Sequence, residues 1–341
     1  MITDIQIQGA LRSMFDGIRF PEEPAGLYDP LRYMIRIGGK RIRPHLCLLA
    51  WSLFHEPEDG TALFGEEITE PARALEVFHS FTLIHDDIMD RSPLRRGEPT
   101  VWKRWNSDTA ILSGDVMLID AYKRIAKAPA AVLDRVVARF SRTAAEVCEG
   151  QQYDMEFETR DDVSEEEYDK MIGLKTAVLL ACSAETGARI AGAGDSVCAA
   201  LYAYGYSLGM AFQVADDYLD AFGDEKVFGK PIGGDILNGK KSWLTIRAVR
   251  KAAEADRADG GDLAARFRAA FLAPAPDEAA RKAKVAAVCA LYSELKVDED
   301  ARAEIVRHTQ EALEAVRKTE LGAVRLEALR RLAEKLAGRV K

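Results

Sequence analysis

Apolar residues recur at three- and four-residue intervals through nearly every stretch between Gly and Pro punctuation, and alternating runs of β-branched residues are few. That pattern predicts an all-α chain. One helix is expected to start near Thr69 with Pro71 in its first turn, to run through "ARALEVFHSFTLIHDDIMDRS" and to stop before Pro93. Further helices are expected around 108–127, 130–159, 165–191, 195–222, 242–257 and across the final stretch from about 262 to 341. Ser164 with Glu167 forms a capping box, and Asp195 is a candidate N-cap. No repeat period stands out. "LAPAPDEAARK" at 272–282 is the best linker candidate, but the helices after it look too short for a core of their own. The expectation is one helical domain over 1–341, with its motifs within 36–245 and a C-terminal helical appendage.

Two places break the amphipathic pattern. Asp86, Asp87 and Asp90 end the apolar run "FTLIHDDIMD", and Asp216, Asp217 and Asp220 repeat the D-D-x-x-D arrangement in "FQVADDYLDAFGD", where Gly223 is the expected stop. Carboxylates at a helix C-terminus oppose its dipole, so each cluster asks for a compensating cation. On an ideal helix Asp86 and Asp90 lie about 40° and one turn apart, as do Asp216 and Asp220, so each pair shares a face. Asp87 and Asp217 fall about 100° off those faces and read as supporting groups or neighbours of basic side chains. A lone copy reads equally well as a solvated helix end. Two copies, each within an apolar stretch, favour a pocket for Mg²⁺ or Mn²⁺, hard ions that accept a few carboxylates and take further oxygens from phosphate.

Composition narrows the partners. The 341 residues carry a formal net charge of -8, which disfavours nucleic acid or an acidic membrane. Cys47, Cys148, Cys182, Cys198 and Cys289 are scattered with no C-x-x-C pair, a distribution that fits a reducing cytoplasm better than a disulfide framework or a zinc site. No signal-like segment opens the chain and no apolar run approaches the ~18 residues of a spanning helix, so a soluble protein is expected. Cationic side chains beside glycine or next to the acidic clusters recur in "GGKRIRP" (Lys40, Arg41, Arg43), "LRRGEPT" (Arg95, Arg96), "GLKTAVLL" (Lys175, Thr176) and "FGKPIGGDILNGKK" (Lys230, Lys240, Lys241). Each alone reads as a solubility residue. Together they suit a diphosphate.

In these motifs, with "LSGD" at Ser113–Asp115, the chain resembles the trans-isoprenyl diphosphate synthases, in the family's order over roughly residues 36–245. The resemblance implies a large α-helical bundle around a central cavity, a homodimer, and three Mg²⁺ ions between the two aspartate motifs. It assigns Asp86 and Asp90 to two of the ions and Asp216 to the third, with Asp220 in support. Lys40, Arg43, His79 and Arg96 then match an isopentenyl diphosphate site, and Arg95, Lys175, Thr176, Gln213, Lys230 and Lys240 an allylic diphosphate site. The implied reaction ionises the allylic substrate, lets isopentenyl diphosphate attack the cation, and returns the proton to the departed diphosphate. Thr176 and Gln213 would present oxygens to the cation. His79 lies within about 20° of the Asp86 and Asp90 face, two turns below, although a core histidine bonded to a carbonyl remains the alternative. His85 reads as structural.

Phe81, five residues before Asp86, resembles the aromatic stop of short-chain enzymes, with Thr82 and Phe78 nearby, and predicts a fifteen- to twenty-carbon product. The other reading of Phe81 is ordinary core filling. Competing functions are a longer-chain synthase, a class I terpene cyclase, which has no use for "GGKRIRP" and "LRRG", and a non-catalytic partner subunit, disfavoured by two intact motifs. A di-iron bundle, suggested by Glu76 and His79 at Glu-x-x-His spacing, lacks a second such pair.

Overall fold

A computed structural model describes residues 2–56, 63–223 and 232–338. They are helical throughout, apart from one two-residue-per-strand hairpin. The chain gathers into two compact units, one from Met1–Ala145, Val178–Tyr206 and Glu314–Ala328, the other from Glu146–Ala177, Ser207–Leu313 and Leu329–Lys341.

The first unit contains α1 (Asp4–Asp16), α2 (Ala25–Arg36), α3 (Ile42–Ser52), α4 (Glu66–Met89), α5 (Val101–Arg104) and α6 (Ser107–Ile125). It also holds the first part of α7 (Leu133–Glu158), all of α9 (Val178–Ile190) and the start of α10 (Asp195–Phe222). α4 is its axis and packs against α3, α6 and α9. Phe78, with no exposed surface, meets Phe140 edge-on at 5.3 Å, and Phe140 meets Tyr122 at 5.1 Å. Close helix approach depends on glycine: a Cβ on Gly187 of α9 would lie 2.1 Å from the Cys47 carbonyl oxygen of α3.

α4 starts earlier than the periodicity suggests. Gly65 occupies the N-cap and Glu66 and Glu67 fill the first turn, where acidic side chains suit the helix dipole, so Pro71 falls in the second turn rather than the first. The far end agrees with expectation. Asp90 caps the helix with its N–H on the Asp86 carbonyl at 2.8 Å, and Arg91 (φ 51°) turns the chain away.

In the second unit the helix expected over 165–191 is interrupted. α8 (Glu165–Ile172) opens with the Ser164–Glu167 capping box and runs into a π-helical turn at Gly173–Ala177 before α9. Gly150 of α7 sits against that turn, where a Cβ would come 2.3 Å from the Lys175 nitrogen. Asp195 does not cap α10. It lies inside the first turn and accepts from Arg135 at 2.9 Å and Arg189 at 3.0 Å. The helix Trp243–Asp259 packs on α8 and on the helices Leu263–Phe271 and Glu278–Glu294. The expected linker narrows to residues 272–277 between the last two. Of the C-terminal stretch, 314–328 belongs to the first unit and the remainder to the second. Among the described residues no helix is long and apolar enough to cross a membrane.

Candidate active site

At the end of α4 the three aspartates separate by burial, in line with the helical offset between Asp87 and the other two. Asp86 is half-buried and Asp90 exposed, whereas Asp87 is 2% exposed and turned inward. Arg95 grips Asp87 with a two-point bond, Nε to Oδ2 at 2.9 Å and Nη2 to Oδ1 at 2.8 Å. Burial pushes the Asp87 carboxyl up while Arg95 opposes that shift. Burial also works to lower the Arg95 guanidinium, yet Asp87, Asp86 and Asp90 together leave it above its ordinary value. Arg95 is thereby fixed in its charged form beside the acidic helix end.

The segment after α4 carries the two arginines of "LRRGEPT". It forms a hairpin pairing β1 (Leu94–Arg95) with β2 (Glu98–Pro99), and Arg96 (φ 56°) and Gly97 (φ 81°) both take the left-handed conformation that a two-residue hairpin turn favours. The turn sends the Arg96 side chain to the glycine loop before α3. Gly39 has φ 153°, a conformation that favours glycine, and a Cβ there would displace the Arg96 guanidinium, which lies 2.7 Å from that position.

Around that junction the residues matched to an isopentenyl diphosphate site converge. Burial, opposed by Glu76 and assisted by Arg96, pushes the Arg43 guanidinium down to about 10. The Arg43 Nε is buried without a hydrogen-bond partner. His79 is held well below its ordinary value by burial and by Arg43, Arg96, Arg95 and Arg41, so it is neutral at pH 7. Its ring makes no hydrogen bond among the described residues, against the reading of a carbonyl-bonded core histidine. Lys40 is exposed on the same loop. Cations gathered around an orphaned buried donor make an anion site. A cavity of about 520 Å³ lies beside the loop, lined by residues such as Phe15, Ile35, Arg36 and Lys40, but none of Arg43, His79 or Arg96 lines it. It meets the cluster at Lys40 and Arg41 of the glycine loop.

Below this cluster on α4, Phe81 is 8% exposed and packs against Phe78 (5.5 Å between ring centroids) and His85 (4.8 Å). The His85 Nε2–H donates to the Ile111 carbonyl at 3.1 Å, the structural role expected of it. The Thr82 hydroxyl donates to the His79 carbonyl at 2.9 Å.

In the second unit, α10 carries the other acidic cluster. Asp217 is buried and fully engaged: Tyr168 Oη donates to Oδ2 at 2.5 Å, the Trp243 N–H to Oδ2 at 2.8 Å and Gln213 Nε2 to Oδ1 at 3.0 Å. Thr176 donates to Gln213 Oε1 at 2.9 Å, so the two residues matched as oxygens for a cation are tied into one chain ending on Asp217. Asp220 accepts the Asp235 N–H at 2.9 Å. Burial pushes its carboxyl up to about 7, with Asp235 adding to the shift and Lys240 opposing it. Asp216 is half-buried one turn before it.

Lys175, on the π-helical turn, donates to Asp154 Oδ2 at 2.6 Å. Asp154 and Asp235 are acids the motif reading passed over. The available signal for Asp154 was its place one turn after Gly150, the small residue that brings α7 against the Lys175 turn. Lys240 stands 3.9 Å from Asp235, and Lys230 lies outside the described residues.

The donor chemistry fits a hard divalent ion. Asp90 at the end of α4 is exposed and Asp86, Asp216 and Asp220 are half-buried, and burial with Asp235 crowds Asp220 against ionising readily without a cation. Among the described residues no three His, Cys, Asp or Glu side chains form a ready-made cage. An ion here must complete its shell with water and substrate oxygens, as Mg²⁺ characteristically does.

The polyprenyl synthetase family profile matches residues 24–266. A geranylgeranyl diphosphate synthase of Methanosarcina mazei is 42% identical over 236 residues, 68% of this chain and 70% of the relative. A crystal structure of a geranylgeranyl pyrophosphate synthase superposes with TM-score 0.89 at 38% identity, covering 99% of each chain. The geranylgeranyl pyrophosphate synthase of Corynebacterium glutamicum, complexed with isoprenyl diphosphate and magnesium, superposes with TM-score 0.82 at 26% identity, covering 98% of each chain. Two acidic helix ends, the anion-ready arginine cluster and an all-α fold of the isoprenoid synthase type thus converge with these matches, and the chain belongs to the polyprenyl synthetase family as a short-chain trans-prenyltransferase.

Proposed function

We propose that the protein condenses isopentenyl diphosphate with an allylic diphosphate, head to tail, to a product of fifteen to twenty carbons. The observation that carries this reading is the Arg43, Arg96 and neutral His79 cluster beside the Gly39–Lys40 loop, a second anion site that a terpene cyclase does not need. Isopentenyl diphosphate is held there by Lys40, Arg43 and Arg96, while neutral His79 offers a hydrogen bond without excess charge. The allylic diphosphate is held by Arg95, Lys175, Lys240 and Lys230.

Asp86, Asp90, Asp216 and Asp220 supply carboxylates for three Mg²⁺ ions, with Mn²⁺ as a substitute. Bound there, the ions neutralise charge that builds on the leaving diphosphate. Arg95, held by Asp87, and Lys175, held by Asp154, add fixed positive charge at that diphosphate and favour rupture of the allylic C–O bond. Thr176 and Gln213 present oxygen toward the resulting carbocation. The isopentenyl double bond attacks, forming the new C–C bond, and the proton lost from the adjacent carbon passes to the departed diphosphate. We place the protein in the cytoplasm as a homodimer, the whole chain acting as one catalytic domain, with Phe81, Phe78 and Thr82 limiting chain growth.

Purified protein incubated with labelled isopentenyl diphosphate, Mg²⁺ and each allylic starter in turn tests the reading. Incorporation into acid-labile prenyl diphosphates supports it. Cyclised hydrocarbon released from the allylic substrate alone, or no incorporation with any starter, refutes it.

A further inference from the structure

Glu76 is used by none of the steps above, although its spacing to His79 draws attention in the sequence. It sits in the middle of α4, 2% exposed, with Leu75 and Val77 wholly buried on either side. An ionised carboxylate in that position is costly unless charge and hydrogen bonds answer it. Its Oε1 accepts from Arg41 Nη1 at 2.9 Å, and its Oε2 is buried without a partner. Arg41 is pinned on three sides. Its Nη2 donates to the Ile35 carbonyl at 2.7 Å, its guanidinium lies 4.2 Å from the centre of the Phe15 ring, and its own backbone is left-handed (φ 49°) as the N-cap of α3.

Glu76 therefore fastens the residue that joins the Gly38–Gly39–Lys40 loop to α3. It is also the largest opposite charge acting on Arg43 and on Arg96. Three guanidinium groups collected at one junction repel each other: Arg96 lowers the proton affinity of Arg43, and Arg41 lowers that of Arg96. Within this cluster the buried donor Arg43 Nε has no hydrogen-bond partner, the mark of a cation that an anionic ligand completes, and Glu76 Oε2, buried and without a partner as well, remains the cluster's counter-charge.

We propose that Glu76 is a positioning residue for the isopentenyl diphosphate site: a buried counter-charge that keeps Arg41, Arg43 and Arg96 gathered, and the glycine loop seated, before the substrate arrives. It does not touch the substrate. Its effect is to spare the diphosphate the work of assembling mutually repelling cations, so it acts on binding of one substrate and leaves chemistry alone. The inference rests on the assignment of isopentenyl diphosphate to Arg43 and Arg96.

The test is steady-state kinetics of Glu76→Gln, Arg41→Gln and the double variant, varying each substrate in turn. Gln keeps the shape and one acceptor and removes the charge. The expected result for Glu76→Gln is a KM for isopentenyl diphosphate raised about tenfold or more, with kcat and the allylic KM within about twofold of the parent. Because Glu76 acts through Arg41, the double variant should be no worse than the poorer single variant. Glu76→Asp, which keeps the charge, should recover most of the loss. An unchanged or lowered isopentenyl KM in a folded Glu76→Gln, equal damage to both substrates, or additive effects in the double variant would overturn the proposal. Arg43→Met separates the two levels. If it raises the isopentenyl KM while Glu76→Gln does not, this inference alone fails, and if it leaves that KM unchanged, the substrate assignment falls and this inference with it.

Discussion

Replacing Phe81 with alanine is the sharpest probe of product length. The substitution removes about six ring carbons from a site that is 8% exposed, and a large-to-small change of this kind costs about 3–5 kcal/mol through lost transfer energy and the cavity left behind. Two ring contacts disappear as well, a tilted one to Phe78 at 5.5 Å and an edge-on one to His85 at 4.8 Å, which places the cost toward the upper end of that range. The hole has the size of one isoprene unit, which adds five carbons. Burying those carbons there returns about 0.8 kcal/mol per methylene-sized group, or roughly 4 kcal/mol, nearly what the unliganded variant loses. Growth by one further unit should therefore become favourable, and the dominant product should lengthen by five carbons, with a lowered melting temperature that long-chain product restores. Reversed-phase separation of dephosphorylated, radiolabelled products reads the length, and circular dichroism checks the fold. An unchanged product distribution from a folded Phe81→Ala variant would remove Phe81 as the stop and leave it as core packing.

Other consequences follow from the same geometry. Asp87→Asn strands buried Arg95 without its counter-ion and should cost about 3–5 kcal/mol in urea denaturation, whereas Asp87→Asn with Arg95→Met should recover most of that loss. Burial and the field of Glu304 raise the Asp169 carboxyl to about 6, so its ionisation opposes folding: the stability it contributes is complete below about pH 4 and is lost as the pH rises through about 6. Asp169→Asn should be more stable than the parent at pH 7 by about 1 kcal/mol after solvent screening, with the advantage gone at pH 4, as read by thermal melts across that window. Chelation with EDTA should abolish condensation and added Mg²⁺ or Mn²⁺ should restore it; turnover that survives exhaustive chelation would contradict the role given to Asp86 and Asp216. Gly187→Ala forces a methyl against the Cys47 carbonyl and should cost about 3 kcal/mol without altering product length, which separates packing damage from site damage.

The helices were legible because a 3.6-residue period is written into one segment at a time. α10 falls at the expected bounds, and the division of labour among Asp86, Asp87 and Asp90 follows from angles on a single helix. The features that escaped depend on other segments. The π-helical turn under Lys175 exists where Gly150 of α7 lets a neighbouring backbone come close, a constraint absent from local propensity. Asp195 has the composition of an N-cap, but Arg135 and Arg189 claim its carboxylate, so tertiary ion pairing overrides the local preference. Asp154 and Asp235 carry no motif of their own and become visible only once Lys175 and Asp220 have positions.

Glu76 shows why charge in this protein has to be read as clusters rather than as residues. Taken from the sequence it is half of a Glu-x-x-His pair and suggests a metal. In the fold its hydrogen-bond partner is Arg41, so the same carboxylate serves to hold cations together, and His79 is kept neutral by burial and by the neighbouring arginines. Asp87 repeats the device with Arg95, and half-buried Asp154 with Lys175: in each case an acid fixes a base that the proposed mechanism needs charged and in place. Asp86 and Asp90 at the end of α4 and Asp216 in α10 are less buried than Glu76 and Asp87, and a divalent ion would offset their cost against the helix dipole. The distinction predicts opposite signatures. Removing a buried acid should weaken folding and one substrate's binding together, whereas removing an exposed one should leave the melting temperature of the metal-free protein unchanged or raised and abolish the gain in stability that Mg²⁺ with diphosphate confers. Thermal melts of Asp87→Asn and Asp90→Asn with and without Mg²⁺ and inorganic pyrophosphate make that comparison, and matching profiles for the two variants would refute the separation.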